Sequence, residues 1–515
     1  MLEPFRHEPL SDFTDSNRAA AYREALAAVR RSLGRHRPLI IDGEVVDTKK
    51  KIVSLNPARP AEVVGTVAAA AAGEVDRALD AAWRGFPDWA ALPAAERAAV
   101  IIKLAGELRR RKLALAAWET LEASKNWAEA EADVAEAIDF CEYYARQAVE
   151  LAQPLPLDPL PGELDELWLQ PLGAGVVIPP WNFPLAILVG MAVGPVAAGN
   201  TVVVKPSSNT PVVGAAFMEA VAAAGLPGGV INYVPGGGGE VGDYLVDHVR
   251  TRFVNFTGSR EVGVRIAERS AKVQPGQVWL KRAYMEMGGK DAIVVDETAD
   301  LDAAVPQIIH SAFDYQGQKC SAASRLIVVD EVYNRVVERV VAAAAKLRVG
   351  PAEENFPVAA VISAAQHRAI LADIEAGRAQ ANLVLGGKPV DRDGGYYLEP
   401  TIFADVPPAA RLAQHEIFGP VLAVIRARDF DEAVQIFNGT AYGLTGGLFS
   451  RSRQRIERAK REFYVGNLYI NRKITGALVG THPFGGFKMS GTNAKAGGPD
   501  YLRLFLEMKS VAERL

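Results

Sequence analysis

Cysteine is scarce in this chain: Cys141 and Cys320 are the two in 515 residues. Two thiols cannot build a disulfide framework, which favours a reducing compartment and a cytoplasmic location. Long apolar runs are also missing. The best candidate for a membrane span, residues 184–198, is cut by Gly190, Gly194 and Pro195 and falls short of the roughly 18 residues a span needs. The first seven residues are charged and precede no signal-peptide core. Charge of one sign is not in excess either, since 57 Lys and Arg face 61 Asp and Glu for a net of −4. That balance gives no general attraction to nucleic acid or to an anionic membrane. No G-x-x-x-x-G-K-[ST] phosphate loop occurs, and the seven histidines show neither H-E-x-x-H spacing nor a cluster with cysteine, so a metal site has no support.

What is present is a large apolar content, 49% of residues, enough for two or more domains with their own cores. Residues 16–33 form a helical arm, and 39–46 predict two short strands across an Asp42-Gly43 turn. Asn56-Pro57 marks another turn, and 73–149 are almost wholly helical. There Val134, Ile138, Cys141 and Ala145 share one helix face, which makes Cys141 a core residue. From Gly173 the rhythm changes. Short β-type runs at 175–178, 201–204, 229–233 and 252–256 alternate with helical stretches at 185–198, 211–224 and 241–246, the pattern of parallel βαβ units. A second such system begins near Lys290, with strands at 291–295, 325–329, 421–425 and 446–449 and helices at 301–313, 332–346 and 453–461. The glycine-rich 443–447 stretch predicts a tight turn between them. The fold class is therefore α/β.

Ligands of such sheets sit beyond the carboxyl ends of the strands. Lys205, with Ser207 and Ser208, suits a ribose or phosphate, or is a solvated strand-end lysine. The four glycines at 236–239 allow close backbone approach, or form a surface turn. Residues 256–263 join a strand to a helix and offer an anion-accepting N-terminus without the usual dinucleotide fingerprint. Glu286 lies between two methionines and before two glycines, as a carboxylate raised toward neutrality for proton transfer or as half of a domain-interface ion pair. Cys320 has Gln318, Lys319 and Ser321 as polar company, and a helix starting nearby would aim N–H groups at its thiol.

Taken in order, these segments resemble the aldehyde dehydrogenase superfamily over nearly the whole chain. The matching pieces are Pro180-Trp181-Asn182-Phe183-Pro184, Lys205-Pro206-Ser207, Phe256-Thr257-Gly258-Ser259 with Gly263, Glu286-Met287-Gly288-Gly289-Lys290, Gly317-Gln318-Lys319-Cys320, Glu416-Ile417-Phe418-Gly419-Pro420 and Pro483-Phe484-Gly485-Gly486. The resemblance implies a Rossmann-type NAD-binding domain (51–152 and 173–286), an α/β catalytic domain (287–469), an N-terminal arm (1–50), a substrate-anchoring and return segment (470–491), and a small β oligomerisation extension (153–172 and 492–515) that makes a homo-oligomer. It makes Cys320 the nucleophile, Glu286 the base for deacylation and Asn182 an oxyanion donor. Ile178, Pro180, Trp181, Lys205, Ser208, Gly258, Ser259, Gly263, Glu416 and Phe418 are the implied contacts of NAD. Ser208 stands where a carboxylate could repel a 2′-phosphate, so NADP is expected to be tolerated.

The long arm, the 137–144 helix and the Asn471-Arg472-Lys473-Ile474-Thr475-Gly476-Ala477 loop resemble the branch of the family that oxidises L-glutamate γ-semialdehyde in proline breakdown. That likeness implies a small-molecule substrate whose α-carboxylate meets Ser321, Gly476 and Ala477, with Phe183 and Phe484 along its aliphatic middle, and functional coupling to proline dehydrogenase. A CoA-acylating relative would use the same thiol, but Glu286 favours water as the acyl acceptor. A purely structural role on the same fold would need none of Cys320, Glu286 and Asn182.

Overall fold

Runs such as Thr201–Val204 are buried along their whole length, which only a strand covered on both faces allows. In this computed structural model, residues 3–153 and 155–515 are described; Met1 and Leu2 of the expected arm and Pro154 of the expected extension lie outside the described residues. The first sheet runs Arg282–Glu286, Phe253–Thr257, Ala174–Ile178, Thr201–Val204, Ile231–Tyr233, Leu39–Ile41, Glu44–Val46. Its first five strands are parallel. The last two form an antiparallel hairpin whose Asp42 and Gly43 both have positive φ, 59° and 76°, as the Asp-Gly turn requires.

The second sheet runs Asn382–Leu385, Thr401–Ala404, Val421–Ala427, Arg325–Val329, Ala292–Val295, Thr445–Phe449, Asn467–Ile470, and is parallel except for its first pair. Residues 287–291 lead directly from the end of one sheet into the other. The strand expected at 446–449 is present as Thr445–Phe449, between Ala292–Val295 and the edge strand Asn467–Ile470, and it takes up most of the tight turn expected at 443–447. Its glycines leave room for neighbours distant in sequence: a Cβ on Gly446 would lie 2.2 Å from the Phe437 ring, and one on Gly447 2.6 Å from Ile474.

Of the four helices between Ala72 and Leu151 the first, Ala72–Ala91, packs on the first sheet, the other three pack on the helices Ala186–Ala197 and Pro211–Ala224, and Cys141 is fully buried among them. A hairpin over Lys51–Asn56 and Arg59–Ala68, of which the sequence reading gave the turn at Asn56-Pro57 but not the strands, packs beside them. Glu163–Pro171 and Leu506–Arg514 pair antiparallel as a two-stranded ribbon with Leu164, Trp168 and Met508 exposed. The run expected to extend this ribbon from Tyr501 begins as a 3₁₀ turn, Tyr501–Phe505, whose Tyr501, Leu502 and Phe505 belong to the first core. Among the described residues no helix is long and apolar enough to cross a membrane.

Candidate active site

The carboxyl ends of the first sheet open into a cleft of about 550 Å³. Ile178, Pro180, Trp181, Lys205, Ser208, Gly258, Ser259, Glu416 and Phe418 all line it. On the far side of the nucleophile loop lies a smaller cavity of about 110 Å³, lined by Phe183, Glu286, Ser321, Gly476, Ala477 and Phe484 among others. Cys320 and Thr257 line both. The thiol therefore stands at the junction of a long polar-rimmed cleft and a mostly apolar pocket.

Lys205 is not a solvated lysine. It is 5% exposed, and its Nζ donates to the carbonyls of Pro206 and Gly236, each at 3.1 Å, which leaves a third N–H for the cleft. Burial pulls its pKa down to about 8. Ser259 caps the helix Arg260–Ala271, its Oγ accepting from the Val262 N–H at 3.4 Å, so the positive end of that helix faces the cleft. Glu416 accepts from the Gly289 N–H at 2.9 Å, and a Cβ on Gly288 would lie 1.8 Å from its Oε2, so glycine is required there. Burial raises Glu416 to about 7. Phe418, at φ 56°, meets Trp181 edge to face at 5.4 Å. A hydroxyl-binding cation, a carboxylate, a helix N-terminus and aromatic edges along one elongated cleft fit a dinucleotide.

Gly263 departs from the expectation. It does not line the cleft; a Cβ there would come 2.4 Å from Met287 Sδ, so the glycine accommodates the methionine of the Glu286-Met287-Gly288-Gly289-Lys290 segment. Two further expectations around Cys320 are corrected. The thiol sits not at a helix start but between the 3₁₀ turn Asp314–Gly317 and the strand Arg325–Val329. Its polar company is engaged elsewhere: Lys319 pairs with Glu129 at 2.6 Å, and Gln318 Oε1 accepts from the Ile362 N–H at 2.9 Å. The Asn182 amide does reach the loop, donating to the Gln318 carbonyl at 3.0 Å while 4% exposed.

Burial pushes the Cys320 thiol well above its ordinary range, and the carboxylates of Glu286, Asp291 and Glu416 add to the effect. Burial also raises Glu286 well above the usual carboxylate range, against the opposing influence of Lys495 and a Gly486 N–H. Its Oε1 is buried with no hydrogen-bond partner among the described residues, which favours a proton acceptor over an interface ion pair. The strand Arg282–Glu286 holds it in place: the Glu286 carbonyl accepts from the Gly258 N–H at 3.0 Å, and the next residue's N–H donates to Ser490 O at 2.8 Å. Thiol and carboxyl face one cavity, and burial disfavours the charged form of each.

In the smaller cavity Gly476 has φ 73°, and its loop is tied down by Lys473 N–H to Gln307 Oε1 and Ile474 N–H to Ser311 Oγ, each 3.1 Å. The loop is thus an ordered wall and not a free surface turn. Sequence reading missed Glu136, which lines this cavity and is pushed up to about 8 by burial. A carboxylate four residues before Phe140 on an apolar helix face was the available signal. Sequence reading singled out the glycines at 236–239 but passed over Gly242, which completes a G-x-G-x-x-G spacing with Gly237 and Gly239; Gly242 packs under the Lys205 chain, its Cβ position 3.3 Å from Lys205 Cε.

The model of the aldehyde dehydrogenase family matches residues 45–511. A 1-pyrroline-5-carboxylate dehydrogenase of Geobacillus kaustophilus (strain HTA426) is 53% identical over 514 residues, covering 100% of both chains. The crystal structure of a 1-pyrroline-5-carboxylate dehydrogenase from Thermus with bound NAD superposes with a TM-score of 0.99 at 57% identity, again over 100% of each chain. Proline utilization A from Bdellovibrio bacteriovorus gives a TM-score of 0.97 at 46% identity, over 99% of this chain and 53% of its own.

Proposed function

The chain belongs to the aldehyde dehydrogenase family, and from that premise we infer that it oxidises L-glutamate γ-semialdehyde, the open form of 1-pyrroline-5-carboxylate, to L-glutamate with NAD. This is the second oxidation of proline degradation. The observation that carries the reading is the meeting, at Cys320, of a long cleft that fits a dinucleotide and a small, mostly apolar pocket whose wall includes Ser321, Gly476 and Ala477.

Cys320 gives its proton to solvent water and the thiolate attacks the aldehyde carbon, giving a tetrahedral thiohemiacetal adduct whose oxyanion the Asn182 amide and the Cys320 backbone N–H stabilise. NAD, when bound, supplies a positively charged ring that accepts the hydride leaving this carbon, so that a thioester results. Glu286 then takes a proton from water, whose oxygen attacks the thioester; the C–S bond breaks, glutamate leaves and the thiol is restored. Lys205 and Glu416 would hold ribose hydroxyls of NAD, Gly258 and Ser259 would meet its pyrophosphate, and Ile178, Pro180, Trp181 and Phe418 would complete its site. Ser208 carries no repulsive charge, and NADP is accepted more weakly than NAD. Gly263 acts by making room for Met287.

Ser321 and the backbone N–H groups of Gly476 and Ala477 take the substrate's α-carboxylate, while Phe183 and Phe484 line its middle. Comparing kcat/KM for glutamate semialdehyde, succinate semialdehyde and pentanal with NAD tests this. Donors left unpaired by an analogue lacking the carboxylate should penalise pentanal by up to about 10⁴; a preference for pentanal or succinate semialdehyde would overturn the assignment.

The chain divides into the arm, the NAD-binding domain, the catalytic domain and the return segment near the boundaries given above, except that Leu39–Ile41 and Glu44–Val46, expected in the arm, extend the first sheet and so belong with the NAD-binding domain. The ribbon of Glu163–Pro171 and Leu506–Arg514 pairs with a second copy, its exposed Leu164, Trp168 and Met508 supporting a homo-oligomer. A monomeric mass by light scattering at all concentrations would refute it. The likeness to a longer chain named proline utilization A supports coupling to a proline-oxidising partner, and two scattered thiols support a cytoplasmic setting.

A further inference from the structure

Between the helices Lys112–Glu122 and Trp127–Leu151 a turn carries Lys125 inward until its side chain is fully buried. Its ammonium pairs with Asp133 and, at 3.4 Å, with Glu119, both carboxylates equally buried. Burial works against the charge, but Asp133 and Glu119 outweigh it and raise the lysine's pKa. Such a cluster is an expensive way to hold helices together, because apolar side chains of the same volume usually do as well or better. Its other neighbours explain where it acts.

The Lys125 Nζ stands 4.2 Å from the centroid of the Phe183 ring and 5.1 Å from that of Tyr315. Phe183 directly follows Asn182, and Asp133 Oδ1 accepts from the Ala186 N–H at 2.5 Å, so the cluster holds the Asn182 loop at two points. Tyr315 lies five residues before Cys320, in a left-handed conformation at φ 50°, with its hydroxyl bonded to Ala123 O at 3.0 Å beside the lysine's own turn. One hydrogen bond, Asn182 Nδ2 to Gln318 O at 3.0 Å, joins the two loops directly. One desolvated cation between two aromatic faces therefore ties the loop of the amide to the loop of the thiol.

Resting on the roles given above to Asn182 and Cys320, we propose that Lys125 is a positioning residue that sets the distance between the Asn182 amide and the Cys320 thiol by binding Phe183 and Tyr315 at once. The lysine touches neither substrate nor cofactor. It acts through placement of the oxyanion donor, so its loss should appear in turnover and should depend on that donor being present.

The test is steady-state kinetics of the full-length enzyme with NAD and glutamate semialdehyde for Lys125→Met, Asn182→Ala and the double variant. Lys125→Met should lower kcat on the order of 10²-fold, the loss that a shift of about 1 Å in a catalytic group brings, with both KM values within about threefold. In the Asn182→Ala background the same change should cost less than about threefold more, because the group being positioned is gone. Wild-type kcat in Lys125→Met, or losses that multiply in the double variant, would overturn the proposal while leaving the oxyanion reading intact. Wild-type kcat in Asn182→Ala would overturn that reading, and the positioning role with it. If Lys125→Met does not fold, Tyr315→Leu, which removes one aromatic face and keeps the ion cluster, decides by the same criteria with a loss of about tenfold.

Discussion

Lys205→Met exchanges a buried ammonium for an apolar chain of similar length, and cofactor binding and stability should respond differently. Burial lowers the lysine's pKa from 10.5 to about 8, so between those values the folded chain binds fewer protons than the unfolded one. Stability must then rise with pH across that window, and the penalty is complete below about pH 8. The gap corresponds to about 3 kcal/mol. Methionine removes this penalty but leaves the carbonyls of Pro206 and Gly236 without their donor, a cost of about 1–3 kcal/mol each. At about pH 7 the terms nearly cancel and the cofactor-free variant should unfold near wild type, whereas by about pH 9.5 wild type should gain about 2 kcal/mol on it. Urea midpoints of both proteins at the two pH values, with the slopes checked for equality, read this directly. Loss of a charged hydrogen bond to the cofactor should raise the KM for NAD roughly 10- to 100-fold. A stability difference identical at both pH values would show that the ammonium is not desolvated as argued, and an unchanged KM for NAD would take Lys205 out of the cofactor site.

Ser321→Ala should cut kcat/KM for glutamate semialdehyde by roughly 10- to 100-fold and leave that for pentanal within about threefold; equal losses on both would remove Ser321 from carboxylate binding. Ser208→Glu should depress kcat/KM with NADP far more than with NAD, and wild-type rejection of NADP by about 10³ or more would mean that Ser208 does not govern the choice. Iodoacetamide should alkylate Cys320 and spare Cys141 until the protein unfolds, by peptide mass. Because burial and three carboxylates raise the Cys320 thiol, its alkylation rate in the cofactor-free enzyme should keep climbing about tenfold per pH unit through the range where an ordinary thiol levels off. A plateau near about pH 8.5 would contradict the raised thiol.

Most parallel strands of the two sheets were legible because they are short apolar runs between helical stretches, and the residues after them could be singled out for the same reason, whereas Arg282–Glu286, Thr401–Ala404 and Asn467–Ile470 were passed over. The Asp42-Gly43 hairpin and the buried face of Cys141 follow from local rules alone. The strand Thr445–Phe449 was legible from Gly446 on, but its glycines also read as part of a tight turn: glycines normally punctuate chains, and only Phe437 and Ile474, brought in by the tertiary fold, explain two of them inside a strand. Similarly, Lys319 looked like company for the thiol until Glu129, nearly two hundred residues earlier, claimed its ammonium. Glu136 was hidden in a helix whose apolar stripe said only that it was packed. Where the chain neighbours of a residue determine its environment, sequence sufficed; where a distant side chain does, it did not.

The central claim is that Cys320 carries the acyl group of glutamate and Glu286 is needed to release it. Intact mass of Glu286→Ala, mixed with NAD and glutamate semialdehyde and quenched in acid, tests it in one spectrum. The account predicts one equivalent of NADH formed and one glutamyl group per chain, located on Cys320 by peptide mass. Full steady-state turnover by the variant, or an adduct on any other residue, would contradict it.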